Sequence, residues 1–80
     1  MTLRVLLFAS YADALGAPEV ELDLPDGAHV RDVLARVQGM AAGKRIPGNP
    51  MVAVNERYAA PDQPVSSTDE IAIIPPVAGG

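Results

Sequence analysis

The chain has 80 residues, 49% hydrophobic and 20% charged, with a formal net charge of −4 and no cysteine. That is the composition of one globular domain, and it excludes disulfides, thiolate nucleophiles, iron–sulfur clusters and Cys-based zinc sites. Six scattered basic residues, of which only Lys44 and Arg45 are adjacent, do not make a nucleic-acid surface.

The opening "MTLRVLLFAS" is too short for the apolar run of a signal peptide, and no stretch approaches the ~18 apolar residues of a membrane span. A cytoplasmic protein with no membrane contact is expected. Residues 3–8, "LRVLLF", predict a strand with Leu3, Val5 and Leu7 on one face and Arg4, Leu6 and Phe8 on the other. "SYADALG" predicts a short helix over 10–15. Ser10 and Asp13 resemble a capping box, and Gly16 and Pro18 stop the helix. "VELDL" (20–24) alternates, so Val20, Leu22 and Leu24 face a core in a half-buried strand antiparallel to the first. "PDG" at 25–27 turns the chain.

Val30, Val33, Leu34, Val37 and Met40 then follow a helical period, giving an amphipathic helix of about three turns. His29 stands where Ser or Thr would cap better. "AAGKRIPGNP" (41–50) predicts a loop, and "MVAVN" (51–55) a strand. Asn55–Glu56 predicts a tight turn into a return strand at 57–59. Residues 61–69 are turn-rich, and "EIAII" (70–74) is the last strand. The order β, short α, β, α, β, β, β predicts a two-layer α+β domain, with a mixed sheet carrying one main helix on one face. A β-grasp, ubiquitin-like roll fits. Residues 1–74 form the domain and 75–80 an extended flexible tail.

One face of that sheet is too apolar for water. Arg4 and Glu70 mark the outward parity, yet Leu6, Phe8, Ala72 and Ile74 share it. In a β-grasp roll the first and last strands lie side by side, so the four form one patch where the tail departs. Such patches mark partner surfaces. The competing reading is ordinary apolar spill on a small chain, or a central strand pair covered by the 41–50 loop.

The catalytic inventory is thin. His29 reads as a helix-start residue, no metal-ligand spacing is present, and Asp69–Glu70 and Asp23/Asp26 read as solvated turn charges. Ser10, Ser66 and Ser67 have no His–Asp arrangement nearby in sequence. Gly39, Gly43, Gly48 and Lys44 do not match a phosphate loop. What remains is the ending "PPVAGG". Pro75 and Pro76 favour a stiff extended base. Through Val77, Ala78 and Gly79 to Gly80, six residues at ~3.3 Å each reach up to about 20 Å. Glycines that lack Cβ can thread a narrow channel. A carboxylate at the tip is ionised and a poor electrophile until ATP converts it to a mixed anhydride. The tail suits an activated acyl group; the alternative is a frayed or truncated end.

On "VLLFASYADALG", "VAVN" (52–55), "DEIAIIPP" (69–76) and the final "GG", the whole chain resembles the small subunits of molybdopterin synthase, MoaD-type sulfur carriers of the wider MoaD/ThiS ubiquitin-like family. The resemblance implies the β-grasp fold and no bound cofactor. It also implies an ATP-dependent, E1-like adenylating partner, a sulfur donor, and a thiocarboxylate carried on Gly80. The large synthase subunit would receive the tail, supply the catalytic residues and build the dithiolene of molybdopterin. This chain would then be a sulfur-donating subunit without an active site of its own. Phe8, Tyr58 and Ile74 match the family's partner surface. Ala12 and Asp13 replace the family's usual Arg-Glu, Ser67–Thr68 its Asp-Gly, and His29 its Thr cap. Carriers for thiamine, cysteine or tRNA thiolation, a ubiquitin-like modifier, and a plain interaction domain remain the alternatives.

Overall fold

Seven elements follow the predicted order: β1 (Thr2–Leu7), α1 (Ser10–Leu15), β2 (Glu19–Asp23), α2 (Val30–Met40), β3 (Met51–Val54), β4 (Arg57–Tyr58) and β5 (Ile71–Ile74). They are seen in a computed structural model that describes residues 1–8, 10–40 and 50–74. The predicted loop at 41–49 and the predicted tail at 75–80 lie outside the described residues.

The sheet runs β2-β1-β5-β3-β4. β1 pairs antiparallel with β2 and parallel with β5, which sets Leu6 level with Ala72. On its other side β5 pairs antiparallel with β3, and β3 folds back into β4. The first and last strands are therefore neighbours, and β5 has a partner on each flank. One helix packed on a mixed sheet in this order is the β-grasp roll.

Period two decides which side chains meet α2. Leu3, Val5 and Ile73 are fully buried, and they join Val33 and Val37 of the helix in one apolar cluster. Of the five helix positions predicted to face inward, Val30, Val33 and Val37 are buried and Leu34 packs at the margin. Met40 does not follow them. It is 42% exposed, because the last turn of α2 carries it past the edge of the cluster. Tyr11 supplies the anchor that the sequence reading missed: it is fully buried and pins α1 to the core. Burial pushes its phenol pKa up.

Boundaries shift by one residue, for local reasons. Phe8 leaves β1 because its carbonyl accepts the Tyr11 N–H and starts α1. Asn55 leaves β3 because its φ turns positive. Ser10 lies inside α1 rather than ahead of it. Gly16, at φ 73°, ends that helix in the left-handed conformation. The Ala17 N–H then donates to the Ala12 carbonyl at 3.1 Å. His29 is a serviceable start for α2 because the cap comes from elsewhere. Asp32 accepts the His29 N–H at 2.8 Å, and the carbonyls of Gln63 and Pro61 accept the Val30 and Arg31 N–H groups at 2.9 Å each. The 61–64 turn satisfies donors that a Ser or Thr side chain would otherwise meet.

Ile71 tests the core directly. It is fully buried at the centre of the sheet. Ile71→Ala is expected to cost about 3 kcal/mol in denaturant unfolding. Against the roughly 4–12 kcal/mol typical of a domain this size, that is a large share of its stability. A loss under about 1 kcal/mol would show that the site collapses to fill the void.

Candidate functional site: an apolar face at the root of the tail

The side of the sheet away from α2 divides in two. Over β2 and β1 it is polar. Arg4 lies opposite Glu21, and its Nε stands 3.7 Å from a Glu19 carboxylate oxygen. Over β1, β5, β3 and β4 it turns apolar. Register alone places Leu6, Ala72, Ala53 and Tyr58 in one row, each opposite the next. Ile74 pairs with Met51 one step along, towards the tail. Directly opposed residues on one face have Cβ atoms about 5 Å apart, so the row is a continuous surface.

All five predicted partner residues, Leu6, Phe8, Tyr58, Ala72 and Ile74, line one depression of about 310 Å³, together with Ala53, Glu56 and Glu70. Phe8 is 48% and Tyr58 68% exposed. Large side chains at that exposure are available to a partner, which favours the partner reading over simple spill. The proposed cover, the 41–49 loop, lies outside the described residues.

Ala53 was not foreseen. "MVAV" reads as uniformly apolar, and its inward and outward members separate only once β3 is registered on β5. Val52 and Val54 then join the core, while Ala53 joins the outer row. Glu56 was read only as a turn residue, and its place on the rim depends on the hairpin closing.

The β3–β4 turn is tied to the start of β5 by Asn55. Its side-chain amide donates to Asp69 at 2.9 Å, its side-chain oxygen accepts the Glu70 N–H at 3.0 Å, and its own N–H donates to the Glu70 carbonyl at 2.8 Å. Asp69 also accepts the Ser66 N–H at 2.8 Å. Asp69 is therefore a clamp between two turns rather than a merely solvated charge. The Asn55 amide first, then the Ser66 N–H, hold its carboxyl below the ordinary range. A pKa lowered by folding adds stability that is present above the unfolded value and lost as pH falls through the folded one. Asp69→Asn is thus expected to flatten the acid limb of a stability–pH curve taken from neutrality to about pH 3. An unchanged acid limb would remove Asp69 from the clamp.

Among the described residues no group of three or more His, Asp or Glu side chains could hold a metal. His29 stands 3.7 Å from Asp32 at the start of α2, away from the apolar face. No described helix is long and apolar enough to cross a membrane. The predicted threading residues Pro75 to Gly79 and the predicted reactive Gly80 lie outside the described residues. Ile74, which precedes them, borders the depression.

A β-grasp domain with an apolar docking face at the base of its C-terminal segment is the class these features define. The chain belongs to the ThiS family, whose model matches residues 5–80. It is 35% identical to the molybdopterin synthase sulfur carrier subunit of Chlamydomonas reinhardtii over the whole of both chains. It is 34% identical to the subunit of that name from Escherichia coli, covering 98% of this chain and 99% of that one. Among solved structures, small archaeal modifier protein 1 of Haloferax volcanii superposes with a TM-score of 0.82 at 30% identity, over all of both chains.

Proposed function

We propose that this chain is the sulfur carrier subunit of a molybdopterin synthase. The observation that carries the reading is the match of the ThiS family model through Gly79 and Gly80. The curated relatives of that name support the pathway. The Gly80 carboxylate attacks the α-phosphorus of ATP in an adenylating, E1-like partner, and pyrophosphate leaves. A sulfur nucleophile from a donor then attacks the acyl carbon and AMP leaves, so that a thiocarboxylate replaces the carboxylate. The large synthase subunit receives the tail and takes the sulfur for the dithiolene of molybdopterin. This chain contributes the sulfur, the extended Pro75–Gly79 approach and the apolar face; it binds no cofactor itself. The cytoplasm, where ATP and the synthase partner would be found, is the expected compartment.

The test is the intact mass after incubation with the cognate adenylating enzyme, ATP and a sulfur donor. One oxygen-for-sulfur exchange is expected. A mass that never changes with any cognate activating enzyme would overturn the carrier reading.

The likeness to an archaeal modifier protein favours one second reading, in which the same activated glycine is passed to lysine amines. Isopeptide adducts on lysines in place of a stable thiocarboxylate would support it.

A further inference from the structure

A strained residue on the docking face bears on the chemistry of the surface it meets, an inference that rests on the carrier reading above. Asn55 (φ 53°) and Glu56 (φ 68°) both lie in the left-handed region. They are the two central residues of the hairpin turn between Val54 and Arg57. Such a turn tolerates Asn first and strongly favours Gly second. Asn55 is compensated by its bonds to Asp69 and Glu70. Glu56 is exposed, and its carboxylate makes no hydrogen bond or ion pair among the described residues.

Glu56 lines the apolar depression, and the Glu70 side chain, equally unpaired among the described residues, lines it as well. No described Lys or Arg lines it. Two free carboxylates thus border an apolar hollow beside the exposed ring of Tyr58. A single ammonium would meet one of them as a point charge. A guanidinium is planar, can bond carboxylates through a fork of donors and can stack on an aromatic face. A second copy of this chain would bring like charges together.

We propose that this face recognises a partner protein whose apolar knob fills the depression and whose arginine pairs with Glu56 and Glu70. Glu56 occupies a position better suited to glycine because its carboxylate is needed on the rim. Stability and recognition therefore oppose each other at this residue, and one substitution separates them.

The experiment measures binding of the large synthase subunit to wild type, Glu56→Gly, Glu56→Gln and Glu70→Gln at low and high salt, with thermal unfolding of each. Glu56→Gly is expected to melt a few degrees higher, since glycine relieves the strain, yet to bind roughly 3–10-fold more weakly at low salt. Glu56→Gln and Glu70→Gln are expected to weaken binding without the thermal gain. The differences are expected to shrink near ~0.5 M salt as screening removes the charge term. Wild-type affinity in both Glu56 variants at low salt would overturn the proposal. Failure of the wild type to bind would overturn it together with the carrier reading, whereas the intact-mass assay reads the sulfur chemistry separately. Self-association of the wild type through this face would assign the surface to a second copy and also overturn the proposal.

Discussion

Deletion of Gly80 is expected to abolish sulfur transfer and leave the fold unchanged. The effect follows from reach. Removing one residue withdraws the carboxylate by about 3.3–3.6 Å. A misplacement of about 1 Å at a reacting centre already costs on the order of 100-fold, so turnover should fall below detection. Adding one residue after Gly80 should have the same consequence, because the activated carboxylate would then belong to the wrong residue. The described core runs from Leu3 to Ile73 and contains none of the tail, so the melting temperature should not move. The check is intact mass and synthase turnover beside a thermal melt. Retained turnover in the deletion would place the sulfur chemistry elsewhere.

Phe8→Asp is expected to uncouple the partner without touching the tail. Phe8 is half-exposed, so a partner can still cover a substantial part of its ring. Burying a whole Phe side chain is worth roughly 1.5–3 kcal/mol, and the uncovered half contributes about 1. The substitution also leaves a carboxylate to be desolvated in a hollow that already holds Glu56 and Glu70. Together these should weaken association by about 2–3 kcal/mol, or roughly 30–150-fold. Phe8 lies outside the buried cluster, so stability should change by less than about 1 kcal/mol. Calorimetric titration against the large subunit reads the first quantity and denaturant unfolding the second. Unchanged affinity would return this face to ordinary apolar spill.

The outer patch could be read early because strand parity is local. Arg4 betrays the outward side of β1, and Leu6 and Phe8 then contradict it. The same argument runs from Glu70 to Ala72 and Ile74. Ala53 was out of reach, since nothing in "MVAV" says which residues lie opposite β5. Glu56 required the hairpin, and a backbone angle is not written in residue type. His29 gave the opposite lesson. It is a poor cap by propensity, yet the carbonyls of Pro61 and Gln63, some thirty positions away, satisfy the helix start. Asp69 was misjudged for a similar reason, as its partner Asn55 lies fourteen residues back. Tyr11 could not be chosen over its neighbours, because a six-residue helix is too short to show a period. Local alternation was legible; whatever depended on pairing distant segments was not.

The placement of β5 has a mechanical consequence. A tail drawn into another protein's channel transmits tension to Ile74, along the axis of the strand. β5 is laddered to β1 on one side and to β3 on the other. An axial pull therefore loads those hydrogen bonds in shear, all at once, instead of peeling them one by one. An edge strand would have half the anchorage and an easy route to unzipping. The domain can act as a fixed handle while its end is pulled, and resistance in a single-molecule stretching experiment should be highest for force applied at the C-terminus against Met1.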